Sequence, residues 1–131
     1  MLCICVVTVF SQPRVYGSSP QDFHLVEVAD GIYVHSGSHV DIEHSQRGDS
    51  ANIGFIVGTK CVAVVDTGGA IVTGRKLRSA IQERSAMPIC YVINTHVHFD
   101  HVLGNAAFTD PNIEFVGHRN LSPAMASNRE F

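Results

Sequence analysis

Two short apolar runs, Cys61-Val62-Ala63-Val64-Val65 and Ile89-Cys90-Tyr91-Val92-Ile93, stand on either side of a stretch with a different period. Runs of this length, rich in β-branched side chains, read as strands, and the first has no polar alternation, the mark of a strand buried on both faces in the middle of a sheet. Between them, Ile71 to Arg84 places Gly74, Leu77, Ala80 and Ile81 on one side at helical spacing, with Arg75, Lys76, Arg78 and Gln82 elsewhere. Pro88 bars any extension of that helix. Strand, helix, strand predicts a layered α/β unit.

The flanking segments extend this pattern. His24 to Val28 alternates, Asp30-Gly31 supplies a turn, and Ile32 to His35 returns, which predicts an opening hairpin. Ser36 to Ser50 carries His39, His44, two glycines and several charges without apolar periodicity, and is expected to be a long loop. Ile53 to Val57 pairs with Cys61 to Val65 across a Gly58-Thr59-Lys60 turn. Downstream come a short helical stretch at Gly104 to Phe108, an Asp110-Pro111-Asn112 turn, a strand from Ile113 to Val116, and a helix from about Asn120.

At 131 residues, 45% hydrophobic and 16% charged, the chain is expected to pack a single core rather than remain disordered. A net charge of −3 without a dense Lys/Arg patch argues against nucleic acid or an anionic membrane as the main partner and leaves a small-molecule substrate. The apolar run Leu2 to Phe10 is too short to span a bilayer; it suits the hydrophobic part of an export signal over residues 1–19, with a buried first strand as the alternative. Periplasmic or secreted localisation follows from the first reading, cytoplasmic from the second. The spacing of Cys3, Cys5, Cys61 and Cys90 matches neither a redox pair nor a zinc knuckle, and Cys61 and Cys90 are expected to be small buried side chains.

The chemistry concentrates in Thr95-His96-Val97-His98-Phe99-Asp100-His101, at the C-terminal end of an apolar strand. His96 and His98 are two apart, so on extended chain they point the same way and can meet one metal ion. Asp100 and His101 face differently if the chain turns after Phe99, which suits a second ion. Nitrogen and oxygen donors without thiolate fit zinc best. Paired ions activate water and polarise a carbonyl or phosphoryl oxygen, which is hydrolytic chemistry.

This segment resembles the H-x-H-x-D-H signature of the metallo-β-lactamase superfamily, and Val64-Val65-Asp66-Thr67-Gly68 and Asn52 to Val57 look like the strands around it. More narrowly, Ala51 to Gly58, Asp66-Thr67-Gly68-Gly69 and Phe115 to Leu121 resemble the zinc metallohydrolases of quinoprotein relay systems, exported proteins associated with periplasmic quinoprotein dehydrogenases. The resemblance implies an αββα sandwich, of which residues 23–131 would supply the N-terminal half.

It further implies that His96 and His98 serve the first of two zinc ions, and that Asp100, the candidate catalytic residue, and His101 serve the second. Asp66 would orient the ligand cluster by hydrogen bonds, a turn or helix-capping role being the alternative. The family's further ligands, a third His, a bridging Asp and a last His, cannot be assigned in this sequence; His118 reads as structural and His39 and His44 as loop residues. The implied function is a zinc-dependent hydrolase, metal-bound hydroxide attacking an ester, thioester or lactam-like carbonyl, weak or inactive as this chain. The alternative is a non-catalytic metal-binding or interaction protein with a partial site.

Overall fold

The computed structural model describes residues 23–38 and 48–127. The proposed export signal and the loop residues His39 and His44 lie outside them. The described residues form one six-stranded sheet whose strands lie side by side in chain order. They are β1 (Leu25–Ala29), β2 (Ile32–His35), β3 (Ile53–Val57), β4 (Val62–Val65), β5 (Ile89–Asn94) and β6 (Glu114–Gly117).

Neighbours β1 to β4 pair antiparallel through short turns or the loop after β2, whereas β4, β5 and β6 pair in parallel. Parallel neighbours need a crossover, and the crossover from β4 to β5 is helix α1 (Ile71–Arg84), at the expected residues. Thr73, Gly74, Leu77, Ala80 and Ile81 are its buried residues, the stripe visible in the sequence. Arg84 closes its last turn by donating to the Ala80 carbonyl at 3.0 Å, where a cation also meets the negative end of the helix.

The core lies between α1 and one face of the sheet. Register places Tyr33, Phe55, Val64, Val92 and Phe115 in one row across β2 to β6 on that face. Phe55, Val62, Val64, Val92, Leu77 and Ile81 are essentially inaccessible to solvent. Burying a side chain such as Leu77 stabilises the fold by about 1.5–3 kcal/mol.

The opposite face departs from expectation. β4 is central, as its apolar run predicts, but only Val62 and Val64 are buried while Ala63 and Val65 are half-exposed. Val26, Ile56, Tyr91 and Val116 share this second face, each more than a third exposed. The sequence therefore encodes burial on two faces, and the described residues cover one.

The cysteines also correct the reading. Cys61 and Cys90 are joined by a disulfide, with Cα atoms 5.8 Å apart. Parallel pairing sets Val62 opposite Ile89, and a shift between Val62 and Ala63 brings the two thiols together.

Candidate metal centre

The site stands at the C-terminal ends of β4 and β5. After Val65 the chain turns sharply: Asp66 takes a positive φ of 55° and Gly68 one of 90°. Asp tolerates the left-handed region better than most side chains, and Gly is at home there. A Cβ on Gly68 would also meet the Thr73 side chain at 2.5 Å, so this position of the turn calls for glycine.

That turn is fastened to the segment after the histidines. Thr67 N–H donates to the His101 carbonyl at 2.9 Å and Gly104 N–H to the Gly68 carbonyl at 2.7 Å. Thr67 Oγ1 donates to Asn105 Oδ1 at 2.8 Å, and Asn105 and Asn94 exchange amide hydrogen bonds at 3.1 and 2.8 Å. Gly104 approaches so closely that an added Cβ would collide with the Thr67 carbonyl.

His98 is the last extended residue, with φ −63° and ψ 144°, and α2 (Phe99–Val102) begins immediately after it, running into a 3-10 turn, Leu103–Ala107. The change of direction after the His pair is thus present. His96, His98, Asp100 and His101 form one continuous cluster. The His96 ring centroid is 4.6 Å from that of His98 and 4.0 Å from that of His101, and His101 Nε2 is 3.8 Å from Asp100 Oδ2.

Asp66, His96 and His101 also place ligand-type atoms within 4.8 Å of one another. The hydrogen bonds of Asp66 tie it to this group. Its side chain is 3% exposed; Oδ1 accepts the Thr95 N–H at 2.9 Å, and Oδ2 accepts the Thr95 hydroxyl at 2.7 Å and His101 Nδ1 at 2.8 Å. Both oxygens accept hydrogen bonds, so Asp66 holds His101 directly and reaches His96 through Thr95. It does not cap α1, whose N-terminal residue Ala70 makes no side-chain cap.

The tautomers follow. A carboxylate only accepts, so His101 donates from Nδ1 and keeps a lone pair on Nε2. Thr95 gives its single hydroxyl proton to Asp66, so its oxygen accepts from His96 Nδ1 at 2.9 Å, leaving His96 Nε2 as the lone-pair nitrogen. His96 Nε2 lies 3.1 Å from His98 Nδ1. Two imidazole nitrogens on one tetrahedral zinc, each at about 2.0–2.1 Å, stand roughly 3.3–3.4 Å apart. With His98 Nδ1 donating to His96 Nε2 the pair stands near that separation, and nitrogen and oxygen donors without thiolate form a set that zinc takes.

His118 follows β6 outside this cluster, lining a cleft of about 380 Å³ with Asn94, Asn105, Phe115 and Arg119. Its Nδ1 accepts the Asn120 N–H at 3.3 Å. Away from the site on β2, the Tyr33 hydroxyl is held above its ordinary value by its hydrogen bond to Glu27, with burial and the charges of Glu27 and Asp30 adding to that effect.

Thr95, Asn94, Asn105 and Ser50 are the site residues that sequence reasoning did not single out. Thr95 lay inside the quoted segment; Ser50, fifty positions from its partner Asp100, carried no local signal.

The sequence pattern of the metallo-beta-lactamase superfamily matches residues 47–113, just over half of the chain. The chain belongs to that superfamily. The fold is similar to a metallo-β-lactamase from Hirschia baltica, with a TM-score of 0.65 and 18% identity over 79% of this chain and 47% of that one. It is likewise similar to the metallo-β-lactamase FIM-1 from Pseudomonas aeruginosa in its mono-zinc form, with a TM-score of 0.64 and 17% identity over 80% of this chain and 46% of that one. The chain thus spans about half the length of these structures. A search of the curated proteins found no match.

Proposed function

We propose that the chain is the ligand-bearing part of a zinc-dependent hydrolase in which His96 and His98 hold one ion and Asp100 and His101 hold a second. The observation that carries this reading is the convergence of ring nitrogens: Thr95 and Asp66 accept from Nδ1 of His96 and His101, leaving Nε2 of each as its lone-pair nitrogen, and His98 Nδ1 donates to His96 Nε2 at 3.1 Å, where a bound ion would take that proton's place. When bound, zinc would activate water and polarise an ester, thioester or lactam-like carbonyl.

The chain's own residues bind and orient. This cluster offers two protein ligands to each ion, where a catalytic zinc takes three, so the chain alone is expected to hold metal with little or no turnover. That shortfall is also what favours the second reading, a metal-binding protein without catalysis. The remaining ligands would come from a second half like that of the compared structures, which extend well beyond the matched region.

Export and a place beside a periplasmic quinoprotein dehydrogenase are the finer part of the proposal. They rest on the apolar start and on the motifs Asp66 to Gly69 and Phe115 to Leu121; the Cys61–Cys90 disulfide supports export because such bonds persist in oxidising compartments. Metal content by mass spectrometry tests the core of the reading. Zinc should accompany the purified chain and be lost from the His96→Ala, His98→Ala double variant; equal zinc on both would overturn it.

A further inference from the structure

We propose that Ser50 is a positioning residue for the metal centre, and that the buried His35 anchors the segment that delivers it. The inference rests on the reading of Asp100 as a ligand and adds a residue group from the loop after β2.

The loop after β2 returns to the sheet through Gly48, Asp49 and Ser50, and each makes a contact of a different kind. The Gly48 carbonyl accepts the Gly69 N–H at 2.8 Å, tying the segment to the turn after β4. Asp49 Oδ1 lies 2.7 Å from His35 Nε2, and the Asp49 carbonyl accepts both the N–H and the hydroxyl of Ser38 at 2.8 Å. The Ser50 hydroxyl then donates to Asp100 Oδ2 at 3.2 Å.

His35 is a firm anchor. It is 4% exposed at the end of β2, and the Phe23 ring stacks on it at 4.0 Å. Its Nδ1 faces the His24 carbonyl at 2.8 Å, which can only accept, so Nδ1 donates. Its Nε2 lies 2.7 Å from Asp49 Oδ1 in a partly buried setting. The ring is held by stacking and at both nitrogens, and Asp49 with it.

The consequence falls on Asp100. A carboxylate ligand rotates about its own bonds unless something outside the metal holds it, and partners of this kind are worth about 10–100-fold in metal affinity. The Ser50 hydroxyl holds Oδ2, the oxygen that lies 3.8 Å from His101 Nε2. The chain therefore orients its ligands through two segments: Asp66, in the turn after β4, holds His101 and Thr95, and Ser50, in the loop after β2, holds Asp100.

The test is zinc titration of the full 131-residue chain against a chromophoric chelator, with thermal melting in parallel. Ser50→Ala should weaken binding about tenfold with its melting temperature unchanged, and Ser50→Thr, which keeps the hydroxyl, should restore it. Asp49→Ala should weaken binding in the same sense by loosening the segment. If Asp100→Ala loses affinity while Ser50→Ala binds like the parent chain, this inference falls and the metal reading stands. If Asp100→Ala also binds like the parent chain, Asp100 is no ligand and both fall.

Discussion

Asp66 sits at the centre of the proposal because its three hydrogen bonds bear on two histidines at once, His101 directly and His96 through Thr95. Asparagine has the same shape but can accept at only one position. In Asp66→Asn, an amide NH2 facing His101 Nδ1 and the Thr95 hydroxyl would put protons on both sides and push the rings toward the wrong tautomer. Zinc affinity should fall at least about tenfold while the melting temperature drops less than in Asp66→Ala, which leaves buried donors unpaired at about 1–3 kcal/mol each. Parent-like zinc affinity in Asp66→Asn would show that the carboxylate does not set the tautomers. At this scale much was legible: the four candidate ligands are adjacent in sequence, and a strand end followed by a turn brings them together. Thr95 and Ser50 were not, because a hydroxyl gains its meaning from a partner far along the chain.

The β4–α1–β5 unit was the most legible element, since period and Pro88 fix the helix at the residues the structure shows. The disulfide across it was hidden. Cys61 and Cys90 are 29 positions apart, and only the parallel register makes them neighbours. The bridge joins the entry ends of the two strands, while the metal cluster lies at their exit ends. Closing a loop of that length is worth about 3–4 kcal/mol, so a Cys61→Ser, Cys90→Ser variant should unfold at markedly lower urea concentration yet bind zinc normally while folded. Loss of zinc binding from a variant still folded by circular dichroism would mean that the two ends of the unit are coupled.

At the scale of the sheet, the sequence reads as apolar on both faces, and the described residues cover one. The row Val26, Val34, Gly54, Val65, Ile93 and Val116, matched by register across the six strands, is apolar throughout and faces away from α1. Hydrophobic pattern reveals that such a face needs a cover but carries no information about what supplies it. The proposed metal cluster has the same character: among the described residues it offers two ligands to each ion of the proposed pair. The most direct measurement is a zinc titration of histidine-¹⁵N-labelled chain, read by long-range ¹H–¹⁵N spectra. His96 and His101 should begin with the proton on Nδ1 and respond to zinc at Nε2, and His98 should respond at Nδ1, with His35 and His118 unmoved. Resonances of His96 and His101 that start with the proton on Nε2, or that ignore saturating zinc, would contradict the account.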